Sequence, residues 1–201
     1  CPHCGYKEAR GDQCESCGKL LNAVELKNPK CKVCSSKPII KNTKHLFINL
    51  PKIEPELKKW ISKVEDKWSE NAKTMTKAWL REGLKERCIT RDLKWGIKVP
   101  KEDYENKVFY SWFDAPIGYI GITHECKKDW HDLWHSPDKT NLVQFMGKDN
   151  IPFHTILFPA FCIGAKDNYT LLNEISVNEY LNYETGKVSK SRGEGELGDD
   201  A

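Results

Sequence analysis

Three pairs of cysteines, each pair separated by two residues, lie within the first 34 positions. They are Cys1/Cys4, Cys14/Cys17 and Cys31/Cys34. This spacing suits a metal better than a disulfide, because a tight C-x2-C turn aims both thiolates at one ion and two such turns complete a tetrahedral zinc site. A disulfide framework and a thioredoxin-type redox motif are the alternatives, but the remaining three cysteines are scattered singly and redox motifs do not come in threes. We therefore predict at least one structural zinc.

The cysteine pairs leave one question open. Gly5 and Gly18 follow the second cysteine of the first two pairs and supply the backbone freedom that such a turn needs. The third pair has no fourth partner of its own, so it either requires another pair upstream of Cys1 or takes the place of one of the first two. The sequence does not decide which pairs share a metal.

Composition and charge exclude several classes of protein. Lys and Arg number 32 against 29 Asp and Glu, a formal net charge of +3, which excludes a strongly basic nucleic-acid-binding tail. The longest apolar run, residues 156–165, contains Pro159 and is half of the roughly 20 residues that a spanning helix needs, so no membrane partner is expected. Because the first residue already belongs to a cysteine motif and the last residues form no cap, we expect an internal piece of a longer protein.

Hydrophobic periodicity changes along the chain. Apolar residues recur at helical spacing over 57–68 and again over 75–83, with Asn71 as the expected N-cap of the second helix. We interpret the aromatic stripe on the first helix as part of the hydrophobic core rather than as a binding face. These patterns predict two amphipathic helices.

Near-continuous apolar runs at 108–113 and 142–146 predict buried, parallel strands, the second followed by a loop and a helix over 153–163. A further strand is predicted at 179–183. In such α/β units ligands bind at the carboxyl ends of the strands, which makes residues 112–119 and 147–154 the expected site.

A short basic loop follows the last predicted strand. Residues 187–192 (KVSKSR) combine three cations with two hydroxyls and could wrap a polyphosphate, although these residues alone slightly favour a solvated loop. The glycine pattern at 193–198 matches a dinucleotide fingerprint only formally, since no strand enters it and no helix follows.

Four separated motifs together resemble one family. Residues 187–191 (KVSKS) are similar to the KMSKS signature of the class I aminoacyl-tRNA synthetases, with Val188 in place of Met. The stretches at 112–119 (WFDAPIGY) and 145–154 (FMGKDNIPFH), with the cysteine pairs, resemble the methionyl-tRNA synthetases. Residues 89–96 (ITRDLKWG) look like the archaeal and eukaryotic cytosolic branch. The HIGH motif, the first half of the nucleotide-binding fold and the anticodon-binding domain of that family are absent from these 201 residues.

The resemblance implies an α/β fold, the second half of a Rossmann-type catalytic domain preceded by a connective insertion. The insertion would span residues 1–88, with zinc knuckles over about 1–40 and helices over about 55–86, and the catalytic half residues 89–201. In the implied reaction, methionine and magnesium-bound ATP form methionyl-adenylate, and the methionine is then transferred to the methionine tRNA. The enzyme would act in the cytoplasm. Assembly with other synthetases would use regions outside this chain, and residues 1–201 alone would be inactive.

The resemblance also implies roles for particular residues. The methionine pocket would be lined by Trp112, Ala115, Pro116, Tyr119, Asn150 and His154. ATP would be bound by Gly147, Asp149 and Leu181 and by the loop cations Lys187 and Lys190. These two lysines would also be the catalytic residues. The metal ligands would be four of Cys1, Cys4, Cys14, Cys17, Cys31 and Cys34. Two alternatives are kept: another class I synthetase, and a noncatalytic zinc module that binds RNA or protein.

Overall fold

The computed structural model describes residues 1–11, 14, 16–17, 19 and 21–179, and the backbone of 182–183 and 186–187. By internal contacts the chain divides into two units, Cys1–Lys44 and His45–Ala201. This division falls within the predicted insertion, and the predicted boundary after residue 88 stays a prediction.

The first unit consists mostly of turns. Its one described helical segment is a 3-10 turn at Ala23–Glu25, closed at its start by Asn22, whose backbone N–H donates to the Glu25 carboxylate at 2.7 Å. Among the described residues of this unit only Cys14 and Leu21 are buried. So small an apolar core cannot by itself offset the conformational entropy lost on folding.

The second unit alternates helices and strands. Its α-helices are α1 (Leu50–Val64), α2 (Glu70–Glu82), α3 (Ser111–Asp114), α4 (Ile117–Cys126), α5 (Trp130–His135) and α6 (Phe158–Ala165). Its strands are β1 (Phe47–Ile48), β2 (Arg87–Cys88), β3 (Thr90–Arg91), β4 (Val108–Phe109), β5 (Leu142–Gly147), β6 (Leu172–Asn178), β7 (Asn182–Tyr183) and β8 (Gly186–Lys187). The structure is a mixed α/β arrangement, which agrees with the predicted fold class.

One parallel pair of strands carries the α/β character of this unit. β5 runs parallel to β6, with Gln144 opposite Ile175 and Met146 opposite Val177. The crossover between them contains α6. β1 with β2, β3 with β4, and β7 with β8 form short antiparallel pairs.

The main core lies where α1, α2 and the segment leading into α6 pack on β6. Its buried members include Leu57 and Ile61 of α1, Ala72 of α2, Ile156, and Ile175 of β6. A smaller cluster joins Trp134, Phe158 and Cys162. Burial in this apolar cluster raises the pKa of the Cys162 thiol to about 12, so this cysteine is a poor nucleophile at neutral pH.

The two predicted amphipathic helices are present, with two corrections. α1 ends at Val64, so Trp68 lies beyond it, in extended backbone that bridges to Ile175, and its indole N–H donates to the Asn173 carbonyl. The N-cap of α2 is Ser69 rather than Asn71. Asn71 lies in the first turn, where its side-chain oxygen accepts the Ala72 N–H and its amide donates to the Val177 carbonyl.

Of the three predicted strands, one is confirmed and one is wrong, and the third, at 179–183, falls partly on residues outside the described part of the chain. Residues 142–146 form the predicted parallel strand. The apolar run at 108–113 does not: only Val108 and Phe109 are in a strand, which is antiparallel, and α3 begins at Ser111. An apolar strand and a short, partly buried helix can contain the same run of apolar side chains, so periodicity could not separate them.

Within the described part of the chain, no strand pairs with the second edge of β5. Among the described residues, β5 pairs only with β6, and Phe145 on β5 is 79% exposed. The preceding residue, Gln144, is buried, and among the residues that the structure describes neither the oxygen nor the nitrogen of its side-chain amide has a hydrogen-bond partner. No helix in the part of the chain that the structure describes is long and apolar enough to cross a membrane.

Candidate functional site

Four cysteines of the first unit converge on one point. The sulfur atoms of Cys1, Cys4, Cys14 and Cys17 all lie within 4.8 Å of one another. The Cys4 and Cys14 sulfurs are 3.7 Å apart, and those of Cys1 and Cys17 are 3.9 Å apart. Four sulfurs arranged tetrahedrally at ~2.3 Å from a zinc ion would be about 3.8 Å from each other. Two of the sulfur–sulfur distances match this spacing, so the group is suited to hold a tetrahedral metal ion.

The backbone around these sulfurs is built to face thiolates. Gly5 has a φ of +76°, and its N–H donates to the Cys1 carbonyl at 3.0 Å, which closes the first turn. A hydrogen bond from the Tyr6 backbone amide lowers the pKa of the Cys4 thiol. A lowered pKa favours the thiolate, which is the form that binds metal.

The third cysteine pair repeats this local geometry at a separate place. The Ser35 N–H donates to the Cys31 carbonyl, as Gly5 does to Cys1, and the Cys31 N–H donates to Ser36, as Cys14 does to Lys19. Hydrogen bonds from Ser36 lower the pKa of Cys34. Within the described residues, Cys31 and Cys34 do not join the four-sulfur group. The first two pairs are therefore the ones that the structure brings together.

The two stretches expected at the strand ends meet in the second unit. The Tyr119 hydroxyl is 2.9 Å from His154 Nε2, and His154 Nδ1 is 2.9 Å from the Asn150 carbonyl. A carbonyl only accepts, so Nδ1 carries the proton and Nε2 accepts the Tyr119 hydroxyl. Burial lowers the pKa of His154, which favours this neutral form. One hydrogen-bonded chain thus joins α4 to the segment that follows β5.

An unusual turn holds His154 in place. Residues Phe153–Leu157 form a π-helical turn, in which the Phe158 N–H donates to the Phe153 carbonyl five residues earlier. Pro159 has no N–H with which to make an α-helical bond to Thr155. Thr155 is fully buried, and its hydroxyl donates to the Ile151 carbonyl at 2.9 Å and accepts from Thr76. π-helical turns of this kind are frequent at functional sites.

Aromatic rings surround the same region. The Trp112 ring contacts Phe153 edge to face at 4.2 Å and stacks on Tyr110 at 5.8 Å. Tyr119 also contacts Phe158, with ring centroids 6.1 Å apart. Such rings can contact the thioether of a methionine side chain favourably.

The other predicted residues have different settings. Ala115 is the exposed C-cap of α3, and Pro116 is buried at the N-cap of α4. Gly147 ends β5, where an added Cβ would lie 3.2 Å from Asp149 Oδ1, so the carboxylate approaches the backbone closely. Lys187 is in β8, and Leu181 and Lys190 lie outside the described residues.

Three polar residues near the strand ends form a group that the sequence analysis did not bring together. Lys148 Nζ is 2.6 Å from Glu179, and Glu179 in turn accepts from Asn71 at 3.2 Å. Lys148 holds the pKa of Glu179 below its usual range. These contacts tie the turn after β5 to the end of β6 and to α2. No spacing rule links residues so far apart in sequence, so no signal could have predicted the group.

The buried imidazole has a measurable consequence for stability. His154 has a lowered pKa in the folded state and an ordinary value near 6.5 when unfolded. Below about pH 6.5 the unfolded chain therefore binds the proton more readily, and the free energy of unfolding falls as the pH falls. We expect His154→Gln to remove part of this pH dependence, by at most about 1.4 kcal/mol per pH unit. Urea unfolding between pH 7.5 and 5 measures this change in the free energy of unfolding with pH.

Tyr119→Phe keeps the imidazole and should retain the same dependence of the free energy of unfolding on pH. Equal dependence in the wild type and in His154→Gln would contradict the assignment.

Comparisons with known proteins cover the whole chain. A family model described as tRNA synthetases class I (M) matches residues 1–200. A probable cytoplasmic methionine–tRNA ligase from Dictyostelium discoideum is 58% identical over 100% of this chain and 28% of its own length. The cytoplasmic methionine–tRNA ligase of Homo sapiens is 56% identical over 99% of this chain and 22% of its own length. The chain thus spans about a quarter of these relatives.

Solved structures give the same result for the fold. A Mycobacterium tuberculosis methionyl-tRNA synthetase bound by methionyl-adenylate matches 73% of this chain and 28% of that chain, with a TM-score of 0.59 and 26% identity. A second structure of that organism's enzyme matches 87% of this chain and 34% of that chain, with a TM-score of 0.65 and 22% identity. With a family model that matches residues 1–200, this chain belongs to the class I tRNA synthetases of the methionine type.

Proposed function

We propose that this chain supplies part of the amino-acid activation site of a methionine–tRNA ligase. The whole protein would join methionine and ATP into methionyl-adenylate with release of pyrophosphate, and then transfer methionine to its tRNA. Relatives with at least 56% identity over essentially the whole chain carry that name, and the related M. tuberculosis enzyme binds methionyl-adenylate. The observation that carries the proposal is the hydrogen-bonded chain Tyr119–His154–Asn150. It joins the two stretches, 112–119 and 145–154, that resemble the methionyl-tRNA synthetases.

The pocket chemistry suits a methionine side chain. In this proposal the rings of Trp112 and Tyr119 contact the thioether, with Ala115, Pro116, Asn150 and His154 completing the wall. A neutral His154 avoids placing a positive charge beside an apolar substrate group, and its lowered pKa supports that role. The Tyr119 hydroxyl is held by His154, so the ring keeps one orientation before substrate arrives.

The nucleotide would lie at the ends of β5 and β6. Gly147 and Asp149 would meet the ribose of ATP, and the backbone near Leu181 would meet the adenine. The close approach of Asp149 to the Gly147 backbone supports a glycine there, because a side chain at 147 would crowd the carboxylate. Lys187 and Lys190 would stabilise charge on the α-phosphate and on the leaving pyrophosphate, which the magnesium bound to ATP would also offset.

The cysteine group completes the proposal. Zinc would be the ion held by Cys1, Cys4, Cys14 and Cys17, because zinc prefers four thiolates in tetrahedral geometry. Four thiolates also leave no open coordination position for a substrate. The zinc is structural in this proposal. We also propose the domain boundary after residue 88, a cytoplasmic location, and association with other synthetases through regions outside this chain.

Methionine-dependent exchange of pyrophosphate into ATP tests the proposed function. The whole protein should catalyse exchange with methionine and with no other amino acid, including leucine, isoleucine and valine. Residues 1–201 alone should give none, because the resemblance assigns the HIGH motif to residues that this sequence does not contain. Exchange driven equally by another amino acid would overturn the proposal, and so would robust exchange by residues 1–201 alone.

A further inference from the structure

A hydrogen bond between two buried hydroxyls joins α2 to the π-helical turn that contains His154. The Thr76 hydroxyl of α2 lies 2.8 Å from the Thr155 hydroxyl, and the two residues are 1% and 0% exposed. Ala72 and Ile156, which lie close to them in sequence, belong to the main apolar core. A hydroxyl buried in such surroundings is costly unless it is hydrogen-bonded, so the two side chains depend on their few polar contacts.

These hydrogen bonds run in one direction. The Ile151 carbonyl only accepts, and Thr155 donates its single hydroxyl proton to it at 2.9 Å. The Thr155 oxygen in turn accepts from Thr76, whose proton lies between this oxygen and the Ala72 carbonyl at 2.7 Å. A chain of two hydroxyls therefore leads from α2 into the turn and ends on the Ile151 carbonyl.

The residues at the end of this chain are next to the ones that hold the imidazole. Ile151 directly follows Asn150, and His154 directly precedes Thr155. The Asn150 carbonyl accepts the His154 Nδ1–H at 2.9 Å. A movement of the turn relative to α2 would therefore move both the imidazole and its carbonyl acceptor. It would also displace the Nε2 atom that accepts the Tyr119 hydroxyl.

The first turn of α2 is itself anchored to β6. The Ser69 N–H donates to the Ile175 carbonyl at 3.1 Å, and the Asn71 amide donates to the Val177 carbonyl at 3.1 Å. Thr76 lies further along the same helix. Because the helix is fixed to the strand at one end, its contact with the turn relates the position of His154 to that of β6.

We propose that Thr76 and Thr155 are positioning residues for the methionine pocket, and that their hydroxyl contact fixes the π-helical turn against α2 so that His154 stays opposite Tyr119. Apolar packing is non-directional, whereas a hydrogen bond requires one distance and one direction. Two hydroxyls therefore define the position of the turn more narrowly than two valines of similar size would. The role in methionine binding rests on the proposed function, but the effect of the contact on the turn does not.

Pyrophosphate exchange by the whole protein tests the role in methionine binding. Thr76→Val and Thr155→Val should each raise the KM for methionine roughly tenfold and keep the KM for ATP within about twofold of the wild type. The double variant should lose little beyond Thr155→Val, because both substitutions remove the same contact. Thr155→Ser, which keeps the hydroxyl, should restore the wild-type KM. Thr76→Ala removes the same hydroxyl and replaces Thr76→Val if the valine variant does not fold.

Thr170→Val is the matched control. Thr170 is 2% exposed, and its hydroxyl donates to the Leu133 carbonyl at 2.9 Å. This variant also loses a buried hydrogen bond, so thermal melting should show a loss of stability similar to that of Thr76→Val, yet its KM for methionine should equal that of the wild type. An unchanged KM for methionine in Thr76→Val, or no rescue by Thr155→Ser, would overturn the proposal.

Amide hydrogen exchange measured by mass spectrometry, without substrate, separates this proposal from the proposed function. In the whole protein, a peptide covering residues 150–158 should take up deuterium roughly tenfold faster in Thr76→Val than in the wild type or in Thr170→Val. This result in a protein without methionine-dependent pyrophosphate exchange would support the effect on the turn and overturn only the proposed function. Unchanged deuterium uptake would overturn the positioning role, whatever the activity of the protein.

Discussion

If the four-cysteine group holds zinc as proposed, Cys14→Ser is expected to release it and to unfold residues 1–44. Cys14 is 1% exposed, and its sulfur lies 3.7 Å from that of Cys4. Of the described residues in this unit, only Leu21 is buried besides Cys14, so burial of apolar surface supplies little stabilisation. A structural zinc contributes roughly 10 kcal/mol or more of apparent binding free energy to such a fold. Losing one of four thiolates removes most of that contribution.

Elemental analysis after gel filtration gives zinc per chain, and limited proteolysis reports whether residues 1–44 remain folded. The wild type should carry at least one zinc, and Cys14→Ser should carry fewer and be cleaved in this unit first. Cys126→Ser, which removes an exposed cysteine of α4, should match the wild type. Cys34→Ser should keep the zinc of the four-sulfur group. A folded Cys14→Ser chain with its full zinc content would contradict the assignment of the ligands.

Lys190→Ala in the whole protein is expected to slow methionine-dependent exchange by roughly 10²- to 10³-fold. Negative charge develops on the α-phosphate and the leaving pyrophosphate only as the adenylate forms, so a cation placed there stabilises the transition state more than the bound substrates. The KM for methionine should therefore change little, because the proposed methionine pocket consists of other residues.

Lys59→Ala is the matched control, since Lys59 is an exposed lysine of α1 remote in sequence from the basic loop. It should leave kcat and KM unchanged. Single-turnover formation of the adenylate separates the chemical step from product release. A Lys190→Ala enzyme that loses kcat and methionine affinity in equal measure would mean that Lys190 holds the ground-state ligand or the fold.

The parts of this fold that could be predicted are those in which the apolar residues recur with one clear helical or strand period. The helical spacing of Leu57 and Ile61 located α1, and the apolar run at 142–146 located β5 with its parallel direction. The end of α1 was harder to predict, because Trp68 continues the helical spacing although it packs beyond the helix, beside β6. Asn71 is of a residue type favoured at N-caps, and its side chain does accept a backbone N–H, but it lies two residues after the actual cap, Ser69.

Other features depend on contacts that sequence patterns do not contain. The pairing of β3 with β4 joins residues nearly 20 positions apart, and it turned an expected buried parallel strand into a short antiparallel one. α4 and α5 were not predicted, since their apolar residues follow no clear helical stripe. The cysteine motifs indicated a metal, yet only the structure shows that the first two pairs converge.

The π-helical turn at Phe153–Leu157 sets the angular phase between the two ends of its helix. Each residue of an α-helix advances about 100° around the axis, so a turn that closes five residues apart instead of four shifts everything after it by about that angle. With that phase His154 and Phe158 both contact Tyr119, and Phe158 and Cys162 also pack in one cluster with Trp134. A deletion of one residue within 153–157 would restore the α-helical phase, and the two sets of contacts could then no longer be made by the same helix.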